Sequence, residues 1–333
     1  MTSNVDGDER TLKERFSDSR QKLLAFSGLV VLIVLFAAVK PEDFLQVSTL
    51  TNILTSTAVN GTLAIAATMI IITGGIDLSI GTLMTFCAVA AGIFITWLGL
   101  PMPFGVVGAI LTGVVCGGVS GFLIAYAKIP PFITTLGMML IYKGLSLQIT
   151  NTKPIYFTQS PEFQQIASGS IIKEIIPGLP IANSALIMAI VAIVIAFVLA
   201  NTLFGRFIFA LGSNEEALRL SGVNVDRWKM AVYAVAGGIC AIAGLLIASR
   251  GNSAQPAQGM GFELDAIAAV VIGGTSLAGG RGTVLGTMIG AFVMSVVQYG
   301  LRLYGMASEK QVMVTGLIII LAVYSDIFWR KKA

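Results

Sequence analysis

The sequence predicts an all-α integral membrane protein, and three properties of its composition lead to that class. Of the 333 residues, 56% are hydrophobic and only 11% are charged, whereas soluble domains carry about 25% charged residues. The apolar residues form unbroken stretches such as Ser184–Ala200 rather than the alternating pattern of barrel strands. Histidine is absent, which excludes histidine-based zinc sites and histidine general bases. We therefore expect a helical membrane protein without chemistry of these kinds.

Apolar stretches long enough to cross a bilayer, which takes about 20 residues, recur about ten times along the chain. They lie at 23–39, 57–73, 80–98, 104–127, 131–149, 184–203, 229–249, 262–278, 283–301 and 311–328. Together they predict one transmembrane domain at 23–329. An AIAA string at Ala64–Ala67 recurs at Ala266–Ala269, each time followed by a Gly-Gly pair, and this echo suggests two pseudo-symmetric halves.

The distribution of lysine and arginine predicts the orientation, because cytoplasmic connections are enriched in both. If the N-terminus is cytoplasmic, the inner side receives most of the basic residues, including those of a polar tail at 1–22, of a loop at 204–228 and of a short C-terminus at 330–333. The longest outer connection is then the loop at 150–183, for which we expect a short surface helix. An even number of spans places both termini in the cytoplasm.

Several other classes of function are excluded by small features of the sequence. Cys87, Cys116 and Cys240 lie far apart inside apolar stretches, so we expect neither a disulfide framework nor a metal site. The net charge of +4 is explained by the topology, so it does not indicate nucleic-acid binding. No lysine follows a glycine, and a chain without the Gly-Lys pair of a P-loop has no Walker A site for ATP.

One polar segment, Thr73–Gly81, interrupts the apolar pattern between the second and third spans. Two interpretations are open. In the first, glycines end one helix and Asp77 caps the next. In the second, the segment is a broken helix that lines a substrate cavity, where water reaches the carboxylate. The candidate residues are Gly74, Gly75, Asp77, Ser79 and Gly81.

A second polar segment, Phe262–Thr283, has the same character. Glu263 and Asp265 begin a helix, where carboxylates favour the positive end of the dipole. Glycines follow at its other end, at Gly273, Gly274, Gly279 and Gly280. The segment is the second candidate for a broken helix at a functional site.

Small residues and scattered polar residues indicate how the spans meet. Gly113, Gly117 and Gly121 repeat every fourth residue, as do Gly282, Gly286 and Gly290; such stripes allow close helix packing, either within the chain or against a partner subunit. Hydroxyl and amide groups suit a neutral, hydroxyl-rich solute because they both donate and accept hydrogen bonds. The pore-lining candidates are Asn60, Thr85, Ser295 and Gln298.

The inner loop at 204–228 contains a short predicted helix, SNEEALRLSG. Ser213 or Asn214 is its N-cap, acidic residues occupy the first turn, and Gly222 ends it. A solvated connector has the same caps, whereas a small helix held at the membrane surface also fits a cleft on a partner protein. The residues that would act in this way are Asn214, Glu215, Glu216, Ala217, Arg219 and Gly222.

The spacing of Glu216, Ala217 and Gly222 resembles the EAA-x3-G coupling loop of ATP-binding-cassette importer permeases. TGGIDLSIG, AKIPPFITTLGMMLIYKGLS and FALGSNEEALRLSGVNV resemble the ribose/xylose/arabinose/galactoside branch, and Ser253–Gly280 is most similar to ribose permeases. The resemblance covers nearly the whole chain after the tail. Leu218 replaces the second alanine of the motif and Ile80 a commoner valine, and we expect Leu218 to alter how the coupling helix seats.

This resemblance implies a multi-pass permease of the bacterial inner membrane that imports a monosaccharide such as ribose. It implies a second permease copy or a paralogue as a dimer partner, a separate ATPase subunit that uses the ATP, and a periplasmic or lipid-anchored sugar-binding protein. The chain itself then binds no cofactor and no nucleic acid and is not an enzyme. The alternatives are an ion-coupled secondary transporter, which the broken helices also allow, and a membrane enzyme, for which no cluster of carboxylates or cysteines is present.

Overall fold

The computed structural model describes residue 23, residues 25–176 and residues 180–330, and these residues form a helical protein. The tail predicted at 1–22 and residues 331–333 of the predicted C-terminus lie outside the described residues. The helices are α1 (Ala25–Val39), α2 (Pro41–Phe44), α3 (Val47–Ile72), α4 (Ile80–Gly92), α5 (Met102–Ala125), α6 (Pro131–Ile149), α7 (Pro161–Ser168), α8 (Ile171–Ile175), α9 (Asn183–Asn201), α10 (Leu203–Ser213), α11 (Glu215–Leu220), α12 (Val225–Arg250), α13 (Phe262–Ile272), α14 (Val284–Leu303) and α15 (Ser308–Arg330).

Seven helices of the described chain are long and apolar enough to cross a membrane: α3, α4 with its π-helical extension to Trp97, α5, α6, α9, α12 and α14. Two further apolar helices, α1 and α10, are shorter. The all-α membrane class predicted from composition is therefore confirmed.

The first long helix, α3, begins at Val47 rather than at residue 57, where its apolar stretch starts. In its polar N-terminal half, hydroxyl groups donate back to carbonyl groups one turn earlier, so they are not left without a hydrogen-bond partner. Thr55 donates to the carbonyl of Thr51 at 2.7 Å and Thr57 to that of Ile53 at 2.8 Å. Hydropathy alone missed this half, since a hydroxyl satisfied by its own helix is tolerated where a free one is not.

The predicted span at 262–278 is shorter as a helix, because α13 ends at Ile272. Gly274 follows in the left-handed conformation with a φ of +84°, and Gly279 also has a positive φ, +85°. The chain between them and up to the start of α14 forms turns. Between α12 and α13 the chain is also non-helical. It contains strand β2 (Ser253–Ala254), which pairs antiparallel with β1 (Ile155–Tyr156).

Helix α3 lies at the centre of the molecule and packs against α12, α9, α13 and α14. Its C-terminal half is fully buried, and the side chains of Leu63, Ile65, Met69 and Ile70 have no exposed surface. By contrast, α5, α6 and α9 carry many exposed apolar side chains, as expected for helices at a lipid-facing surface.

Both glycine stripes pack within the chain. Gly113 and Gly117 lie against the backbone of α12 at Gly237 and Tyr233, where any side chain on either glycine would collide. In the other stripe, Gly286 lies against Gly273, and Gly290 against Ala269 of α13. The interpretation of these stripes as intrachain packing surfaces is therefore confirmed.

The loop at 150–183 contains the expected surface helix. Helix α7 is held to the end of α12 by Ser249, whose hydroxyl accepts the N–H of Ala167 at 2.9 Å and donates to the carbonyl of Phe163 at 2.7 Å. The buried rings of Phe157 and Phe163 stack with their centroids 4.0 Å apart. These contacts anchor the loop on the membrane domain.

Candidate functional site

The short helix predicted in the loop at 204–228 is α11, and its caps follow the sequence pattern. The side-chain oxygen of Asn214 accepts the N–H of Ala217 at 2.9 Å, so Asn214 rather than Ser213 is the N-cap. The helix ends after Leu220, and Gly222 adopts a φ of +85°. This left-handed conformation favours glycine, and it turns the chain into α12.

A network of charged side chains holds α11 against the membrane domain. Arg219 contacts Glu215 at 3.2 Å within the helix and Asp226 at 3.3 Å in the first turn of α12. Asp226 also accepts a 2.7 Å ion pair from Lys128 in the turn between α5 and α6, and Lys229 pairs with Glu215. These five residues, which we call the inner charge network, join α11 and the neighbouring start of α12 to the turn between α5 and α6, where Lys128 is 98 residues before Asp226.

The pKa of Glu215 reflects this network. Partial burial raises the pKa of the carboxyl, but the hydrogen bond and charge of Lys229, together with those of Arg219, outweigh burial and hold the pKa below its ordinary value of 4.5. Glu215 is therefore ionised at neutral pH and is occupied by partners within the chain.

Other side chains of α11 are exposed. Glu216 and Ala217 are exposed, and the Leu220 side chain is 83% exposed, the largest value among the exposed large hydrophobic residues of the described chain. Leu218, which departs from the family motif, is half-buried. Glu216 has no ion pair among the described residues.

The two glycine-rich segments meet beneath this helix. Gly280 donates its N–H to the carbonyl of Ile72 at 2.8 Å, and Gly279 lies against Gly74 and Gly212. A side chain at Gly212, at the end of α10, would collide with the carbonyl of Ile72. The C-terminal ends of α3 and α10 are therefore packed backbone to backbone with the turn between α13 and α14, directly before α11.

Asp77 is buried, and its contacts are local. One carboxylate oxygen accepts the N–H of Ser79 at 2.7 Å and the hydroxyl of Ser79 at 2.6 Å. Ser79 is the residue before α4, and neither side chain accepts from the first turn of that helix. Asp77 thus stabilises the turn that leads into α4, where Gly81 lies against Gly259 and Glu263.

The carboxylates of the second segment also have defined partners. Glu263 is buried, and both of its oxygens accept the N–H of Gly261, at 3.0 and 3.1 Å. Asp265 is half-buried and accepts the side-chain amide of Gln298 at 3.0 Å. This bond ties α13 to α14.

The four pore-lining candidates do not form one open surface. Asn60, Thr85 and Ser295 are buried, each with no more than 6% of its surface exposed, and Gln298 is half-buried and bonded to Asp265. The side-chain oxygen of Asn60 has no hydrogen-bond partner among the described residues.

Reasoning from the sequence missed Lys128, Asp226 and Lys229 as members of the site. Lys128 and Asp226 are 98 residues apart, and in the sequence each is only a charged residue of a connection between spans. The one available signal was that both belong to connections assigned to the same side of the membrane.

These features define a multi-pass membrane protein in which ion pairs hold a short capped helix, α11, at the surface. This arrangement is typical of a transport permease. A comparison with protein families agrees, because residues 49–323 match the family described as the permease component of branched-chain amino acid transport systems. The chain belongs to that family.

Individual relatives cover nearly the whole chain. It is 38% identical to ribose import permease protein RbsC of Escherichia coli K12 over 98% of this chain and 99% of the relative. The same protein of Haemophilus influenzae is 38% identical over 92% and 94% of the two chains. Xylose transport system permease protein XylH of E. coli K12 is 32% identical over 94% and 93%. The resemblance to the sugar-permease branch is thereby confirmed. No solved structure matches the chain.

Proposed function

We propose that this chain is the membrane-spanning permease subunit of an ATP-binding-cassette importer and that it moves a ribose-type monosaccharide into the cell. The observation that carries the proposal concerns α11. The ion pairs of the inner charge network hold this helix against the rest of the protein, and its Glu216 and Leu220 side chains are exposed. The names of the relatives, which import or transport ribose, xylose and fructose, support a sugar as the solute.

The proposed topology has both termini in the cytoplasm of a bacterial cell and about ten crossings of its inner membrane. The seven long apolar helices account for most of them. The others are α1, α15 and α13 together with the non-helical chain that precedes it. This count keeps α11 and the basic C-terminal residues on the same side.

The proposed assembly contains two permease subunits, an ATPase subunit under each α11, and an external sugar-binding protein. The permease binds no ATP itself, since its sequence lacks the Gly-Lys pair of a phosphate-binding loop. Glu216 would meet a basic or donor-rich cleft on the ATPase, and Leu220 an apolar one.

The proposal is tested by reconstituting the chain in liposomes with the ATPase and sugar-binding protein encoded beside it. We expect ribose uptake that requires ATP and does not respond to a sodium or proton gradient. Glu216→Ala should weaken co-purification with the ATPase, with Glu162→Ala on the outer loop as the matched control. Uptake driven by an ion gradient without the ATPase would instead show a secondary transporter.

A further inference from the structure

The chain between α12 and α13 crosses part of the membrane without forming a helix. Helix α12 ends at Arg250, and α13 begins only at Phe262. The 11 residues of α13 rise about 16 Å, roughly half the hydrocarbon thickness of about 30 Å. Because the far end of α13 lies against the start of α14 at Gly286, residues 251–261 must cover the remaining depth. We call residues 251–261 the re-entrant segment.

Strand β2, near the start of the re-entrant segment, pairs with β1 of the loop at 150–183, and the contacts of the later residues place them below the outer end of α12. Gly259 lies against Gly81 and Thr85 of α4. The adjacent Met84 lies against Gly244 of α12, which precedes the last residue of that helix by about 9 Å along the axis. The segment therefore reaches into the outer half of the membrane domain.

Part of this segment is exposed. Gln255, Gln258 and Met260 all lie on the surface of the described chain, and Met260 is 47% exposed. Non-helical backbone does not face hydrocarbon, because unsatisfied amide groups are too costly there; at membrane depth it is either buried in protein or lines water. Two exposed glutamines on such a segment indicate the second case.

Lys143 faces the same surface. It lies in α6, about 9 Å before the end of that helix at Ile149, and its ammonium group is 2.8 Å from the sulfur of Met260. A lysine side chain on a lipid-facing helix surface usually extends along its own helix towards the interface. The ammonium group of Lys143 instead contacts the re-entrant segment at Met260. It has no carboxylate partner among the described residues, so a stable charge at this position requires water or another polar partner.

We propose that Lys143 and Met260, which are in contact, form with the exposed Gln255 and Gln258 of the same segment a contact surface for a neutral polyhydroxylated solute on a water-filled path. The ammonium group offers three hydrogen-bond donors, and each glutamine offers both donors and an acceptor. Together they can pair with sugar hydroxyl groups, which both donate and accept hydrogen bonds. Met260 offers an apolar surface for the C–H groups of such a solute. The identity of the solute rests on the function proposed above, but the presence of water does not.

The first test measures water access by cysteine labelling. Gln258→Cys and Met260→Cys are made in the full chain and treated from outside with a membrane-impermeant thiosulfonate reagent. The control is Ile193→Cys on α9, whose native side chain is 69% exposed on an apolar helix, and the unmodified chain gives the background of Cys87, Cys116 and Cys240. We expect both segment variants to be labelled and the control not to be. Failure of both segment variants to react would overturn the proposal.

The second test addresses solute contact in the reconstituted complex. Lys143→Met should lower the maximal uptake rate of ribose by about tenfold, for the loss of one charge-assisted hydrogen bond, and Gln258→Leu should lower it by a smaller factor, because its hydrogen bond is neutral. ATP hydrolysis should still respond to loaded binding protein in both variants. Lys153→Met on the outer loop is the matched control. Normal uptake by both variants would overturn solute contact at this surface. A complex that takes up no ribose in any form would instead refute the proposed function and leave the labelling result unaffected.

Discussion

The ammonium group of Lys128 lies 2.7 Å from a carboxylate oxygen of Asp226, and that same oxygen accepts Arg219 at 3.3 Å. Lys128 stands in the turn between α5 and α6 with a φ of +57°, whereas Arg219 belongs to α11. The position of α11 is therefore coupled to α5 and α6 by side chains as well as through the chain that connects it to α12.

The first prediction concerns this coupling. Asp226→Asn removes the acceptor charge shared by Lys128 and Arg219, so the motion of α11 should be transmitted less efficiently, and fewer sugar molecules should be moved per ATP hydrolysed. The loss of stability should stay below about 1 kcal/mol, because the ion pairs are partly exposed. The measurement is paired uptake and ATP hydrolysis in liposomes.

The matched control for that experiment is Asp43→Asn, which breaks the exposed pair of Lys40 and Asp43, 3.7 Å apart, near the other end of the molecule. Its transport ratio should equal that of the parent chain. An unchanged ratio in Asp226→Asn would show that the network only stabilises the fold.

The second prediction concerns pH and Glu215. Because its pKa in the folded chain is below the ordinary value of 4.5, its contribution to stability is complete above that value and is lost as the pH falls through the lowered pKa. We expect Glu215→Gln to lower the Tm at neutral pH slightly and to leave a smaller acid-induced fall in Tm. Glu216→Gln, whose parent side chain has no ion pair among the described residues, should show the parent pH profile. Parallel profiles for all three chains would contradict this.

The third prediction separates conformation from space at Gly222. Its φ is +85°, but no atom lies close enough to obstruct a side chain. Gly222→Asn should retain assembly with the ATPase, because asparagine tolerates the left-handed region. Gly222→Val should lose it, because this conformation is an outlier for a β-branched residue. Co-purification of the ATPase with each variant provides the readout. Equal assembly by both would show that the turn is not needed.

The fourth prediction compares two adjacent glycines of α5. An added methyl group at Gly117 would collide with the carbonyl group of Tyr233, whereas at Gly118 it would meet only the Cβ of Ala234 at 3.9 Å. Gly117→Ala should reduce the free energy of unfolding by about 1–3 kcal/mol, seen as a lower Tm in detergent. Gly118→Ala should leave the Tm unchanged or raise it slightly, since alanine favours helix. The idea fails if the two variants unfold alike.

Structural features that depend only on residues close together in the chain can be predicted from the sequence. Apolar stretches located most of the long helices, because burial in lipid requires a continuous run of apolar residues. The ends of α11 followed from Asn214 and Gly222, because an N-cap and a left-handed turn act within a few residues. The early start of α3 was missed because its hydroxyl groups are satisfied by backbone carbonyls, which hydropathy does not measure.

The sequence by itself thus determined the membrane class, most of the spans and the surface helix, since hydropathy and capping are local. Only the tertiary structure decided which distant residues meet. Lys128 and Asp226 are 98 residues apart, and Lys143 and Met260 are 117 apart. Such contacts depend on how helices pack, and at Gly113, Gly117 and Gly259 that packing is set by the close approach of two backbones, which no local pattern of residues specifies.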